Sequence, residues 1–170
     1  HARHDKCCAK FGIAVWCAMR DQVPDRAWQC SHVGGDRFAG NVVVFPYGLY
    51  YGRVQPQDVP EIVRRSDAGE IWLDGYRGRS TQPRAVQIAD FFLRGESGIL
   101  GINAFRHLAV ERSTSSLTTV TFVSRADGSH HRIVYLTKTN AIRQQLTCDS
   151  ENESEVAQYE LVNYTVGDLQ

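Results

Sequence analysis

Two short stretches carry the residue types that do chemistry. Cys7 and Cys8 stand side by side near the start of the chain, and the run Cys30 to Asn41, CSHVGGDRFAGN, sets a thiol, an imidazole and a carboxylate around two glycines. A thiolate stabilised at a helix N-terminus ligates metals or attacks disulfides, and an imidazole is a ready metal ligand. Gly34 and Gly35 serve a close metal site and a tight turn equally well, because both need unhindered backbone.

Spacing alone leaves three readings of these donors open. An iron–sulfur site needs thiolates or imidazoles from two loops, and histidine in place of cysteine raises the reduction potential. Zinc accepts the same donors, although the double cysteine, the CxH and the HxxxD spacings are not the paired CxxC pattern. The plain alternative makes Cys7, Cys8, Cys17 and Cys30 small core residues. Cys17 lies nine residues beyond Cys8, on the opposite helix face, and belongs to the core.

The surrounding elements must bring these residues together. Phe11, Val15, Ala18 and Met19 recur at helical spacing from Cys8 to Gln22, with Asp5 placed to cap the helix and Pro24 to end it. Ala27 to His32, containing Trp28, reads as a short strand running into Gly34. Residues 41–46 and 49–54 form a hairpin about Tyr47-Gly48, with Tyr50 and Tyr51 as packing residues. Val59, Ile62 and Val63 mark a helix over 57–68, with Asp58 and Pro60 at its start and Gly69 at its end. Residues 69–83 read as a basic, glycine-rich connector, in which Arg77, Arg79 and Ser80 are open to a phosphate or carboxylate or are simply solvated.

A second unit begins near Pro83 with a helix to Gly95, its buried stripe formed by Val86, Ile88, Ala89, Phe92 and Leu93. Strands are expected at 107–112, 117–124, 131–137, about 143–148 and 157–166. Ala126-Asp127-Gly128 is a hairpin signal, which makes His130 and His131 exposed turn residues. The acidic run 148–155 reads as a solvated loop. The fold class is therefore α/β: a thioredoxin-like unit over residues 1–75, then an α+β unit with an antiparallel sheet over 76–170. The order helix, strand, hairpin, helix lacks the first strand of such a unit. A chain that opens at His1, without Met, reads as a fragment that begins after that strand.

Composition narrows the partners. Lysine plus arginine and aspartate plus glutamate number 19 each, so no net field favours nucleic acid or an anionic membrane. No apolar run approaches the roughly 18 residues of a membrane span, and no signal-peptide pattern opens the chain. Five cysteines, an odd number bunched towards the start, suit reduced thiols or metal ligands. A cytoplasmic protein is the expectation.

The strings RHDKCCAKFG (3–12), CSHVGGDRFAGNVVVFPYGLYYGRV (30–54), YRGRS (76–80) and the later TC…YEL (147–161) together resemble the sucrase/ferredoxin-like family. The resemblance implies a thioredoxin-like ferredoxin domain with a [2Fe–2S] cluster, acting as a one-electron carrier for an unknown redox protein partner. Whether it turns over a substrate is left open. Fungal members resemble a bis-histidinyl type with two cysteines and an HxGGH loop. Residue by residue, one family cysteine falls on Cys8 and the first loop histidine on His32. The second loop histidine is Asp36 here, and the other cysteine would lie upstream of His1. The implied ligand set is thus Cys8 and His32 with Cys30 or Asp36, cradled by Gly34 and Gly35, and whether a chain starting at His1 keeps the cluster is open. Two other readings are a thioredoxin-type thiol oxidoreductase acting through Cys7 or Cys8, and a metal-free interaction module.

Overall fold

The structure, a computed structural model, describes residues 6–147 and 150–167, the side chains of Cys7, Asn140 and Ala141 excepted. The expected cap at Asp5 and the thiol of Cys148 lie outside the described residues. The chain forms a mixed α/β structure with two antiparallel sheets. Among the described residues no helix is long and apolar enough to cross a membrane.

Helix α1 (Lys6–Gln22) turns Val15 into the first core, with Ala18 and Met19 packed beside it, and Pro24 opens a 3-10 turn just after it. Strands β1 (Val42–Val44) and β2 (Leu49–Tyr51) form the expected hairpin in the register Val42 to Tyr51. Helix α2 (Val59–Asp67) buries Val59 and Ile62. Its start is secured by the Gln55 amide donating 2.8 Å to the Asp58 carboxylate, and its end by Gly69 at φ +71°, where a side chain would be strained.

Three expectations need correction here. Residues 27–32 form no strand: they have no alternating apolar face and no neighbour to pair with, and Trp28 is 81% exposed rather than packed. The connector is instead partly a strand, because Tyr76–Arg79 (β3) pairs antiparallel with β2 and completes a sheet of order β1-β2-β3. Its alternate burial, Tyr76 and Gly78 inward and Arg77 and Arg79 outward, is a two-residue period too short to stand out in a basic run. Residues 143–148 are no separate strand either, as the second sheet shows.

Helix α3 (Arg84–Ser97) and strands β4 (Phe105–Arg112), β5 (Leu117–Ser124), β6 (His130–Gln144) and β7 (Ser154–Gly167) make the second unit. The strands form a meander in chain order. Strand β6 runs unbroken to Gln144, its polar second half held extended by pairing with β7 rather than by any apolar pattern. Val86, Ala89 and Leu93 of α3 pack on Phe105, Val120, Phe122, Ile133 and Tyr135. Asp127 accepts from the Ser129 amide at 3.0 Å in the β5–β6 turn, as the turn chemistry requires. His131 corrects its expectation: it is 5% exposed inside β6, its ring between the Tyr164 hydroxyl (2.8 Å) and the Ser129 hydroxyl (3.1 Å). His130 opens the same strand and is half-buried.

A different face of α3 joins the two sheets. Tyr76 of β3 donates its hydroxyl to Asp90 at 2.7 Å. The Arg94 guanidinium, 2% exposed, donates to Asp90 at 3.1 Å and to the carbonyls of Ile99 and Gly101. Burial and the adjacent Asp90 carboxylate push the Tyr76 phenol well above its ordinary pKa, so it stays a donor. The backbone adds a second tie, Ile71 donating to Leu100 and Ile102 to Gly69, both at 2.8 Å.

Candidate metal centre

Two glycines begin the site loop because its backbone demands them. Gly34 and Gly35 sit at φ +81° and +78°, after which Asp36–Phe38 winds one 3-10 turn. The loop is then fastened from both strands of the first sheet that face it. Asn41 donates its side-chain amide to the Gly35 carbonyl at 3.0 Å, and Arg77 of β3 donates to the Asn41 carbonyl oxygen at 2.8 Å. Tyr50 of β2 donates to the Val33 carbonyl at 3.4 Å, and Arg53 closes the far end by its amide on Phe38. The Arg77 guanidinium lies over Phe38, 3.9 Å from the ring centroid, and so close to Gly35 that a Cβ there would lie 2.8 Å from its Nη2.

This frame presents Asp36 to α1. The Cys8 thiol lies 3.3 Å from Asp36 Oδ1, and His32 Nδ1 lies 3.4 Å from the same oxygen. The ligand atoms of Cys8, His32 and Asp36 all fall within 4.8 Å of one another. A tetrahedral ion with bonds of about 2.0 to 2.3 Å holds its donors about 3.3 to 3.8 Å apart, a range that the two spacings to Asp36 meet, while the group as a whole is bounded only at 4.8 Å. One thiol, one imidazole and one carboxylate make a borderline donor set that favours zinc over hard or purely thiophilic ions. Asp36 is 16% exposed and His32 is 38% exposed, which leaves an outer position open to water or a ligand.

Of the residues singled out from the sequence, Cys8, His32 and Asp36 converge, while Gly34 and Gly35 shape the loop. Cys30 does not join them: it is exposed and outside the group. The Cys7 side chain lies outside the described residues. Arg79 is held within the fold, donating to Tyr47 and Ile102 carbonyls. Asn41 serves the loop backbone, as its place after glycine suggests. The role of Arg77 as the outer prop of this loop has no local sequence signal, since it acts across 36 residues.

The start of α1 and a glycine loop beside an antiparallel sheet thus bring S, N and O donors together in an α/β fold. Residues 1–78 match the model of the sucrase/ferredoxin-like family. Two curated fungal relatives are similar to parts of the chain, and both are named "Altered inheritance of mitochondria protein 32". The one from Meyerozyma guilliermondii is 50% identical over 54 residues, covering 29% of this chain and 19% of that protein. The one from Debaryomyces hansenii is 33% identical over 89 residues, covering 46% and 33%. The chain thus spans a third or less of the length of these relatives. No solved structure matches it.

These findings correct the iron–sulfur expectation. The relatives carry a name from mitochondrial inheritance, not from ferredoxins or electron transfer. The geometry disagrees as well: among the described residues three donors converge, not the four that hold a two-iron cluster, and Cys30 stands apart.

Proposed function

We propose that the chain is a metal-binding module in which Cys8, His32 and Asp36 hold one divalent ion, zinc by preference. The convergence of three unlike donors from α1 and a glycine loop, far apart in sequence, carries the reading. Bound there, zinc would supply Lewis acidity at its remaining position. The chain's own residues supply the rest: Asn41 and Arg77 fix the loop, and Asp36 stands between the other two ligands.

The order α1, β1, β2, α2 supports a thioredoxin-type arrangement of the first unit, with β3 as an added antiparallel strand. We place the division between the units after Arg79, where that sheet ends, rather than at 75. Balanced charge supports a protein or small-molecule partner. The thiols suit a reducing compartment, and both the cytoplasm and, from the relatives' name, the mitochondrion qualify.

The test is metal content and cobalt substitution. Purified protein should carry about one zinc per chain, and cobalt should give sulfur-to-metal charge-transfer absorption that Cys8→Ser abolishes. His32→Ala and Asp36→Asn should each weaken zinc binding at least about tenfold. Zinc content unchanged in all three variants, or absent throughout, would sink the proposal.

A further inference from the structure

Next to the candidate metal site, with which it shares Asp36, the loop 35–38, helix α3 and strand β7 wall an open cleft of about 990 Å³. Its walls combine two features. Arg37, Arg77 and Arg84 bring three guanidiniums to one side, while Ile88, Phe91 and Phe92 of α3 offer an apolar floor. Among the described residues none of the three arginines makes an ion pair: of the two carboxylates that also line the cleft, Asp36 pairs with His32 and Glu155 with none of the three.

The cations also disfavour one another. Burial first, then the Arg84 charge, hold Arg37 below its ordinary pKa, and burial followed by Arg37 does the same to Arg77. Arg77 is committed to Asn41 and the Phe38 face, whereas Arg84 lies 5.8 Å from the Tyr159 ring centroid at the mouth of α3. Like charges gathered without counterions, Arg37 and Arg77 partly buried and Arg84 exposed, are unfavourable, and an oxyanion between planar guanidiniums relieves them by forked hydrogen bonds. An apolar floor beside such a clamp is the usual build of a small-molecule pocket. Phe91, 41% exposed, adds aromatic surface that water covers poorly.

We propose that this cleft binds a small organic oxyanion with an aromatic or aliphatic body, its head group held by Arg37 and Arg84 and its body laid on Ile88, Phe91 and Phe92. Arg77 supplies field from behind rather than a direct contact. Phosphate and carboxylate heads share this chemistry.

Calorimetric titration of the purified protein with phenyl phosphate, benzoate, inorganic phosphate and phenol tests it. Phenyl phosphate or benzoate should bind saturably at one per chain, and the tighter of the two identifies the head group. Inorganic phosphate should bind at least about tenfold more weakly, for want of a body, and phenol should not saturate. Arg37→Gln and Arg84→Gln should each weaken binding about tenfold or more, and Arg106→Gln on β4 should not. If a Gln variant fails to fold, Arg37→Lys or Arg84→Lys replaces it, and loss of the forked geometry should still weaken binding several-fold. No saturable binding of either aryl anion, equal affinity for inorganic phosphate, or affinity untouched by the cleft substitutions overturns the proposal.

Discussion

Gly35 shows how much of the proposed metal site hangs on single residues. Its φ of +78° strains any side chain, and a Cβ would meet the Arg77 guanidinium at 2.8 Å. Gly35→Ala should therefore cost about 1–2 kcal/mol in urea unfolding and displace the Asn41–Arg77 prop, weakening zinc retention as well. Stability unchanged within error would show that the loop tolerates another backbone path. His131 is a second case. Burial lowers its pKa in the folded protein below the ordinary 6.5. The unfolded chain then takes up a proton there before the native one does, so the stability present above pH 6.5 is lost as pH falls below it. Melting temperature should drop between pH 7.5 and 5, and His131→Gln should flatten part of that drop. The same slope in the variant would clear His131 of the effect.

At the scale of elements, α3 is the piece on which both sheets depend. One face carries Val86, Ala89 and Leu93 into the second core, and the adjoining positions 90 and 94 carry a buried ion pair to Tyr76. Arg94→Leu leaves Asp90 buried without its cation and should destabilise by about 3–5 kcal/mol, whereas Asp90→Leu combined with Arg94→Leu should recover part of that loss. A double variant no more stable than the single one would mean that the carbonyl contacts of Arg94, not its charge, hold the junction. The elements legible in the sequence were those with strong local signals: the periodic helices, the Tyr47-Gly48 and Asp127-Gly128 turns, and β5. Strand β3 and the end of β6 were not legible, because their residues are polar and extended only through pairing with a neighbour. The supposed strand at Trp28 failed for the converse reason, having β-forming residues but no strand to pair with.

For the molecule as a whole, the Asp90 junction and the backbone ties between 69–71 and 100–102 predict one cooperative unfolding event. All three tryptophans, Trp16, Trp28 and Trp72, precede β3, so their fluorescence reports the first unit alone, while circular dichroism reports the helices and sheets of both units. The two probes should give coincident urea midpoints in the native sequence and separate ones in Arg94→Leu. Separate midpoints from the outset would show that the units unfold independently. The sequence by itself determined the donors and their local stage: Cys8 near a helix start, His32 and Asp36 about two glycines, and the family blocks around them. Those are matters of residue type and of backbone freedom, which act over a few positions. Only the tertiary structure decided which donors meet, that Cys30 stands aside, that Arg77 props the loop and that three arginines face one cleft. These depend on β3 crossing to β2 and on α3 reaching both sheets, contacts between residues dozens of positions apart that no local pattern encodes.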